Sequence, residues 1–201
     1  KALSDDTMKS LSRVSGNLRC CSMLASFLRT DDDFNLTLIG KALDGTRGLV
    51  LNCLHVLFKN LVPVERVHYE LLLLLPHMNN IPIELVVKLW KKKYSLVQSQ
   101  LLSFAARGMI SMSNDDKTFS LPLDLLESAF ALTLGSGAPY ASDLSVKERI
   151  EAAYAIQQYV TDANNFQNKD FYFIHFRPIV SCWEHLLRLH PEKALGNLCV
   201  K

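Results

Sequence analysis

The feature that most limits how this chain can fold is a change of hydrophobic period at Gly108. Upstream of it apolar residues recur every three or four positions, the spacing of an amphipathic helix. Immediately downstream, Met109-Ile110-Ser111-Met112 and Thr118-Phe119-Ser120-Leu121 are short extended runs joined by the polar stretch Ser113-Asn114-Asp115-Asp116-Lys117. That pattern predicts a β-hairpin. A hairpin placed after short helices and before another helix, here Pro122 to Leu132, is the element order of a winged helix, with the hairpin as its wing.

The helices leading to the hairpin are bounded by ordinary stop and start signals. Val50, Leu51, Leu54, Leu57, Phe58 and Leu61 mark one helix, stopped at Val62-Pro63 because a residue before proline disfavours helical geometry. A second runs from Val64 to Leu75 and ends at Pro76. Ile81-Pro82-Ile83-Glu84 reads as the first turn of a third, with Leu85, Val86, Leu89 and Trp90 on one stripe. A fourth, Ser95 to Arg107, is expected to turn Leu96, Val97, Leu101, Leu102 and Ala105 inward and to close at Gly108. Nearer the start, Met8, Leu11, Val14, Leu18, Cys21, Met23, Leu24, Phe27 and Leu28 predict a helix or a pair broken at Gly16. Beyond the hairpin, Gly135-Ser136-Gly137-Ala138-Pro139 reads as a linker. Ser145-Val146-Lys147-Glu148 is a capping box opening a helix to about Ala163, with further helical segments from roughly Phe176 to Leu189 and Glu192 to Val200. No strand pair beyond the hairpin is expected.

The expected fold is therefore mainly α: a helical segment over residues 1–44, a winged-helix domain over 45–133, and the start of a helical domain over 134–201. Composition agrees, since 49% apolar and 21% charged residues are ordinary for a globular chain. The most apolar run, Leu71 to Leu75, is far shorter than the roughly 20 residues of a membrane-spanning helix and is expected to be core. No membrane partner follows. Five cysteines, two of them adjacent at Cys20 and Cys21, are an odd number in irregular spacing, which predicts free thiols and a cytoplasmic setting. The chain opens Lys1-Ala2-Leu3-Ser4 without an initiator methionine or a signal pattern, and this start reads as a boundary inside a longer protein.

The chemistry missing from the chain excludes several classes. Neither GxxxxGK[ST] nor GxGxxG occurs, so no phosphate cradle is present, and GxSxG is also absent. No catalytic residue is assigned and the chain is not expected to be an enzyme. Cys182, His185, His190 and Cys199 lack the paired close spacing of a zinc site, and Asp31-Asp32-Asp33 lacks that of a calcium loop, so no metal ligand is assigned. Lys88, Lys91, Lys92 and Lys93 form the one basic cluster that a nucleic-acid-binding winged helix would use. Against that use, 22 basic and 20 acidic residues create no global field, and Leu96 to Arg107 offers only Gln98, Gln100 and Arg107 to read bases.

Two stretches resemble a known family. Val14-Ser15-Gly16-Asn17-Leu18-Arg19-Cys20-Cys21-Ser22-Met23-Leu24-Ala25-Ser26-Phe27-Leu28 is similar to the glycine-x-proline helix of NB-ARC signalling ATPases, with Leu18 in place of the proline. Leu49 to Trp90, with Leu71-Leu72-Leu73-Leu74-Leu75-Pro76 and Ile81-Pro82-Ile83-Glu84-Leu85-Val86-Val87-Lys88-Leu89-Trp90, and then Leu101, Leu102, Gly108 and Ile110, resembles the winged-helix region of apoptosome ATPases and plant immune receptors. The family's Met-His-Asp motif falls on Pro122-Leu123-Asp124, where only the aspartate matches.

The resemblance implies the regulatory arm of a STAND-type ATPase, a nucleotide-dependent switch of the cell-death or immune-defence kind whose P-loop half lies upstream. It implies no cofactor in this chain, and ADP or ATP in the full-length protein near Leu18, Leu123 and Asp124, with ADP held weakly because Leu123 replaces a phosphate-contacting histidine. The implied partners are the upstream nucleotide-binding domain, other protomers and signalling proteins. The alternatives are a DNA-binding winged helix and a helical protein-interaction scaffold.

Overall fold

The computed structural model describes residues 5, 9, 12, 17–30, 48–75, 80–123, 125, 127–129 and 144–162. Within these, the protein is mainly helical with one small antiparallel sheet. Helix α1 spans Leu18–Thr30, α2 Leu49–Asn60 and α3 Pro63–Leu73. Strand β1 (Ile81–Pro82) leads directly into α4 (Ile83–Trp90), which is followed by α5 (Tyr94–Ala106) and the strands β2 (Ser111–Met112) and β3 (Thr118–Ser120). Leu123, Leu125 and Glu127–Ala129 are helical, and α6 spans Val146–Thr161. The order helix, strand, helix, helix, strand, strand, with the sheet ordered β1-β3-β2, is that of a winged helix.

The third strand corrects the sequence reading of Ile81-Pro82 as helix. Ile81 pairs with Phe119 and Pro82 with Thr118, so β1 extends the hairpin at its edge. An edge position suits Pro82, which has no N–H to give a ladder. Two residues are too few for any alternation, and their partner lies far along the chain, so no local signal marks them as strand. Asn80, in the left-handed region at φ 54°, makes the turn into β1, and its N–H donates to Ser120 Oγ at 3.1 Å.

Tyr69 of α3 lies at the centre of the core. Its ring meets Phe58 of α2 and Phe104 of α5 edge-on, with centroids 5.6 and 5.4 Å apart, and its hydroxyl donates to the Met109 carbonyl at 3.1 Å. Leu72 to Leu75 are buried around it, together with Ile83, Leu85, Val86, Leu89 and Trp90 of α4. Helix α1 packs on α2 through Cys20, Met23 and Leu24 and shares this core. It also covers the turn after α5. Gly108 has φ 71°, a geometry that favours glycine, and a Cβ there would lie 3.3 Å from Met23 Cγ and press on the neighbouring helix.

The capping box at the start of α6 is present as the sequence implies: Glu148 N–H donates to Ser145 Oγ at 3.2 Å and Ser145 N–H to Glu148 Oε2 at 2.8 Å. The linker at 135–139, the segments at 176–189 and 192–200, the cysteines and histidines at 182, 185, 190 and 199, the acidic run at 31–33 and both domain boundaries lie outside the described residues.

Candidate functional site

The surface that a winged helix would present to a partner is built from α5, the turn before it and the wing, and the basic cluster lies at that turn and on the helix before it. Its four lysines divide into two pairs. Lys88 and Lys91, on the face of α4 that packs against α6, are drawn to that helix: Lys91 Nζ lies 2.6 Å from Glu151 and Lys88 Nζ lies 3.6 Å from Asp162 and 5.3 Å from the Tyr159 ring centroid. Lys91 beside it holds the Glu151 carboxyl below its ordinary range, whereas burial, with Glu84 and Asp162 nearby, pushes the Tyr159 hydroxyl up to about 12. Lys92 and Lys93 remain exposed, and among the described residues no ion pair engages either.

One flank of α5 is fixed to α3. His68 Nδ1 donates to Gln100 Oε1 at 2.7 Å, its ring stacks on Trp90 with centroids 4.5 Å apart, and Trp90 Nε1 donates to the His68 carbonyl at 3.1 Å. Burial lowers the His68 pKa and Lys92 adds to this, outweighing the Gln100 hydrogen bond and Glu65, so the imidazole is neutral at neutral pH. Two turns further along, Arg107 closes a two-pronged ion pair with Glu65 at 3.1 and 3.3 Å. The opposite flank meets the wing, where Gln98 Nε2 donates to the Asp116 carbonyl at 3.4 Å.

The wing tip is ordered by its own acid. Asp115 Oδ1 accepts from Ser113 Oγ at 2.6 Å and from Lys117 N–H at 3.1 Å, and the first of these bonds leads in holding its carboxyl below the usual range. Asp116 stands next to it with φ 53°. With Lys117 beside the two acids, the tip carries a net charge of −1.

Between these flanks the outward face of α5 corrects the expected register. The sequence reading turned Leu96 and Leu102 inward; the structure leaves them 59% and 41% exposed. Only Val97, Leu101 and Phe104 of this helix are fully buried. Ser95, Ser99, Leu102 and Ala106 succeed one another at three- and four-residue steps, and Leu96 borders them. No residue from Tyr94 to Ala106 is charged.

The residues singled out by resemblance lie elsewhere. Leu18 opens α1 and is 90% exposed, not on the apolar stripe where spacing placed it; Leu123, just after the wing, is 57% exposed; Asp124 is outside the described residues. Leu18 and Leu123 are open apolar positions outside the core. Among the described residues no group of three His, Cys, Asp or Glu side chains is arranged to hold a metal ion, and no helix is long and apolar enough to cross a membrane. Cys20 and Cys53 are buried across the α1–α2 contact, and burial, followed by the neighbouring Cys20, pushes the Cys53 thiol well above its ordinary range. Comparison of the chain with protein-family models, with curated proteins and with solved structures finds no significant match.

Proposed function

We propose that this winged helix works by protein contact, as the regulatory arm of a STAND-type signalling ATPase in the cytoplasm, and not as a reader of DNA. The observation that carries the choice is the uncharged outward face of α5 beside an anionic wing tip. DNA affinity comes largely from cations set against phosphates. Here the wing bears Asp115 and Asp116 against the single Lys117, and half of the basic cluster is occupied by Glu151 and Asp162 of α6. An apolar and hydroxyl-bearing face suits a protein surface better than base edges.

The family resemblance supplies the kind of switch. In such a device the arm rests on an upstream nucleotide-binding half in one state and swings away as a rigid body in the other. Leu18 and Leu123 suit contact with that half because each is a large apolar side chain held in solvent. Neither can donate a hydrogen bond to a phosphate, which fits weak retention of ADP.

Duplex DNA titrated against the chain tests the choice. Binding is expected to be weak and to vanish between 50 and about 200 mM salt, the mark of nonspecific charge. Tight binding to a particular sequence at physiological salt overturns the reading. For the switch, hydroxyl-radical footprinting of the full-length protein is expected to show Leu18 and Leu123 protected with ADP and open with an ATP analogue; equal reactivity in both states removes the STAND assignment.

A further inference from the structure

We propose that the outward face of α5 docks an amphipathic helix of a partner protein, one that carries acidic side chains opposite Lys92 and Lys93 and basic side chains opposite Asp115 and Asp116. The proposal rests on the protein-contact reading above and specifies the chemistry of the partner.

The face has the construction of one half of a helix–helix contact. Ser95, Ser99 and Ala106 are small, so a second helix axis can approach to within the usual 8–10 Å or so of packed helices. Leu96 and Leu102 supply apolar side chains that the protein's own core leaves in water. Both flanks are held rigidly, by the wing through Gln98 and by α3 through Gln100 and Arg107, so the surface exists before a partner arrives and little ordering entropy is lost on binding.

Charge selects the occupant. The start of the face carries Lys92 and Lys93, both exposed and without an ion pair among the described residues. One flank carries the ionised tip of the wing. At the far end Arg107 is matched by Glu65, so that end makes no demand on a partner. An apolar helix with acid toward its contact with the lysines and base toward the wing is complementary, whereas the reversed pattern meets like charge at both places. Nucleic acid fails the same comparison, because its uniform negative charge would be repelled by the wing. A second copy of this chain would bring the same Leu96 and Leu102 together with its own Lys92 and Lys93, and self-association is therefore an outcome that the test below reads.

The test uses the whole chain and two synthetic helical peptides of about 18 residues, some five turns. Both have a Leu/Ala stripe; one carries Glu at one end and Lys along one flank, and the other has these charges exchanged. In low salt the matched peptide is expected to bind about tenfold more tightly than the exchanged one, a difference worth about 1.4 kcal/mol. The double substitution Lys92→Glu and Lys93→Glu should narrow or invert that preference. Leu102→Asp should abolish binding of both peptides while leaving the thermal melting of the chain unchanged, since its side chain supports no core. Equal affinity for the two peptides, or binding untouched by Leu102→Asp, overturns the proposal. Concentration-dependent self-association removed by Leu102→Asp also overturns it, because the face would then belong to a second copy. Failure here with no specific DNA binding leaves the protein-contact reading standing; specific DNA binding removes both.

Discussion

Helices α4 and α5 follow one another in the chain and are both rich in aliphatic residues, yet they meet the surroundings in opposite ways. In α4 the aliphatic and aromatic residues Ile83, Leu85, Val86, Leu89 and Trp90 are buried, and the polar side is taken up by α6 through Lys88 and Lys91. In α5 a narrow strip of Val97, Leu101 and Phe104 is buried, while Leu96 and Leu102 remain in solvent. The contrast shows that apolar content alone does not tell which side of a helix is the core. In α4 charged residues mark the outer side; α5 has none to mark it.

The strongest way to break this comparison is to truncate both helices on both sides. Trp90→Ala and Leu101→Ala should destabilise the protein by about 3–5 and 2–5 kcal/mol, the cost of lost apolar burial plus a cavity, with Trp90→Ala also losing the indole hydrogen bond to the His68 carbonyl. Leu102→Ala and Leu96→Ala should change stability by no more than about 0.5 kcal/mol, as surface substitutions do. Chemical denaturation of the four variants decides the matter. A cost at Leu102 comparable to that at Leu101 would mean that the outward face of α5 is core.

The same contrast explains what could be read from the sequence. The hairpin, the bounds of α2, the start of α3 and the capping box of α6 were legible because each has a local signature: alternation, the proline at Pro63, Ser145 with Glu148. β1 was not, because its two residues acquire strand geometry only from Phe119 and Thr118 on the distant β3. The fate of the lysines was equally hidden. Nothing near Lys88 or Lys91 in the sequence announces Glu151 or Asp162, so a cluster that looks uniform in the chain is split by tertiary packing. The candidate face is missed for the reason given above: Ser95, Leu96, Ser99, Leu102 and Ala106 carry no polar marker, and any of several rotations of α5 would bury a plausible apolar strip.

The ends of the two helices extend the comparison at a finer scale. Each closes with a residue in the left-handed region, Lys91 at φ 53° after α4 and Gly108 at φ 71° just beyond α5. Glycine enters that region freely, whereas a residue with a Cβ is strained by about 1–2 kcal/mol. Gly108→Ala should therefore destabilise the protein by at least about 1–2 kcal/mol, and Met23 Cγ, 3.3 Å from the new Cβ, must give way as well. Thermal melting of the variant measures the effect; an unchanged midpoint would mean that residue 108 does not hold the left-handed geometry.

Lys91 is the converse case and the smaller effect. Its backbone N–H donates to the Val87 carbonyl and closes α4, so the left-handed geometry is fixed by the helix end whatever side chain stands there. Lys91→Gly removes the Cβ strain and also the contact with Glu151, but that pair is exposed at both ends, and exposed pairs contribute little. Glycine brings back some unfolded-state entropy, which offsets part of the gain. The net expectation is stabilisation of up to about 1 kcal/mol, the roughly 1–2 kcal/mol of Cβ strain relieved less the roughly 0.5–1 kcal/mol that glycine costs in chain entropy. Lys91→Ala separates the two contributions: it keeps the strain and loses the ion pair, so denaturant midpoints should rank Gly above wild type and wild type level with or slightly above Ala. If both variants fall together, the Lys91 to Glu151 contact is what holds α6 on α4, and the division of the basic cluster into an engaged pair and an open pair becomes a stabilising feature of the fold in its own right.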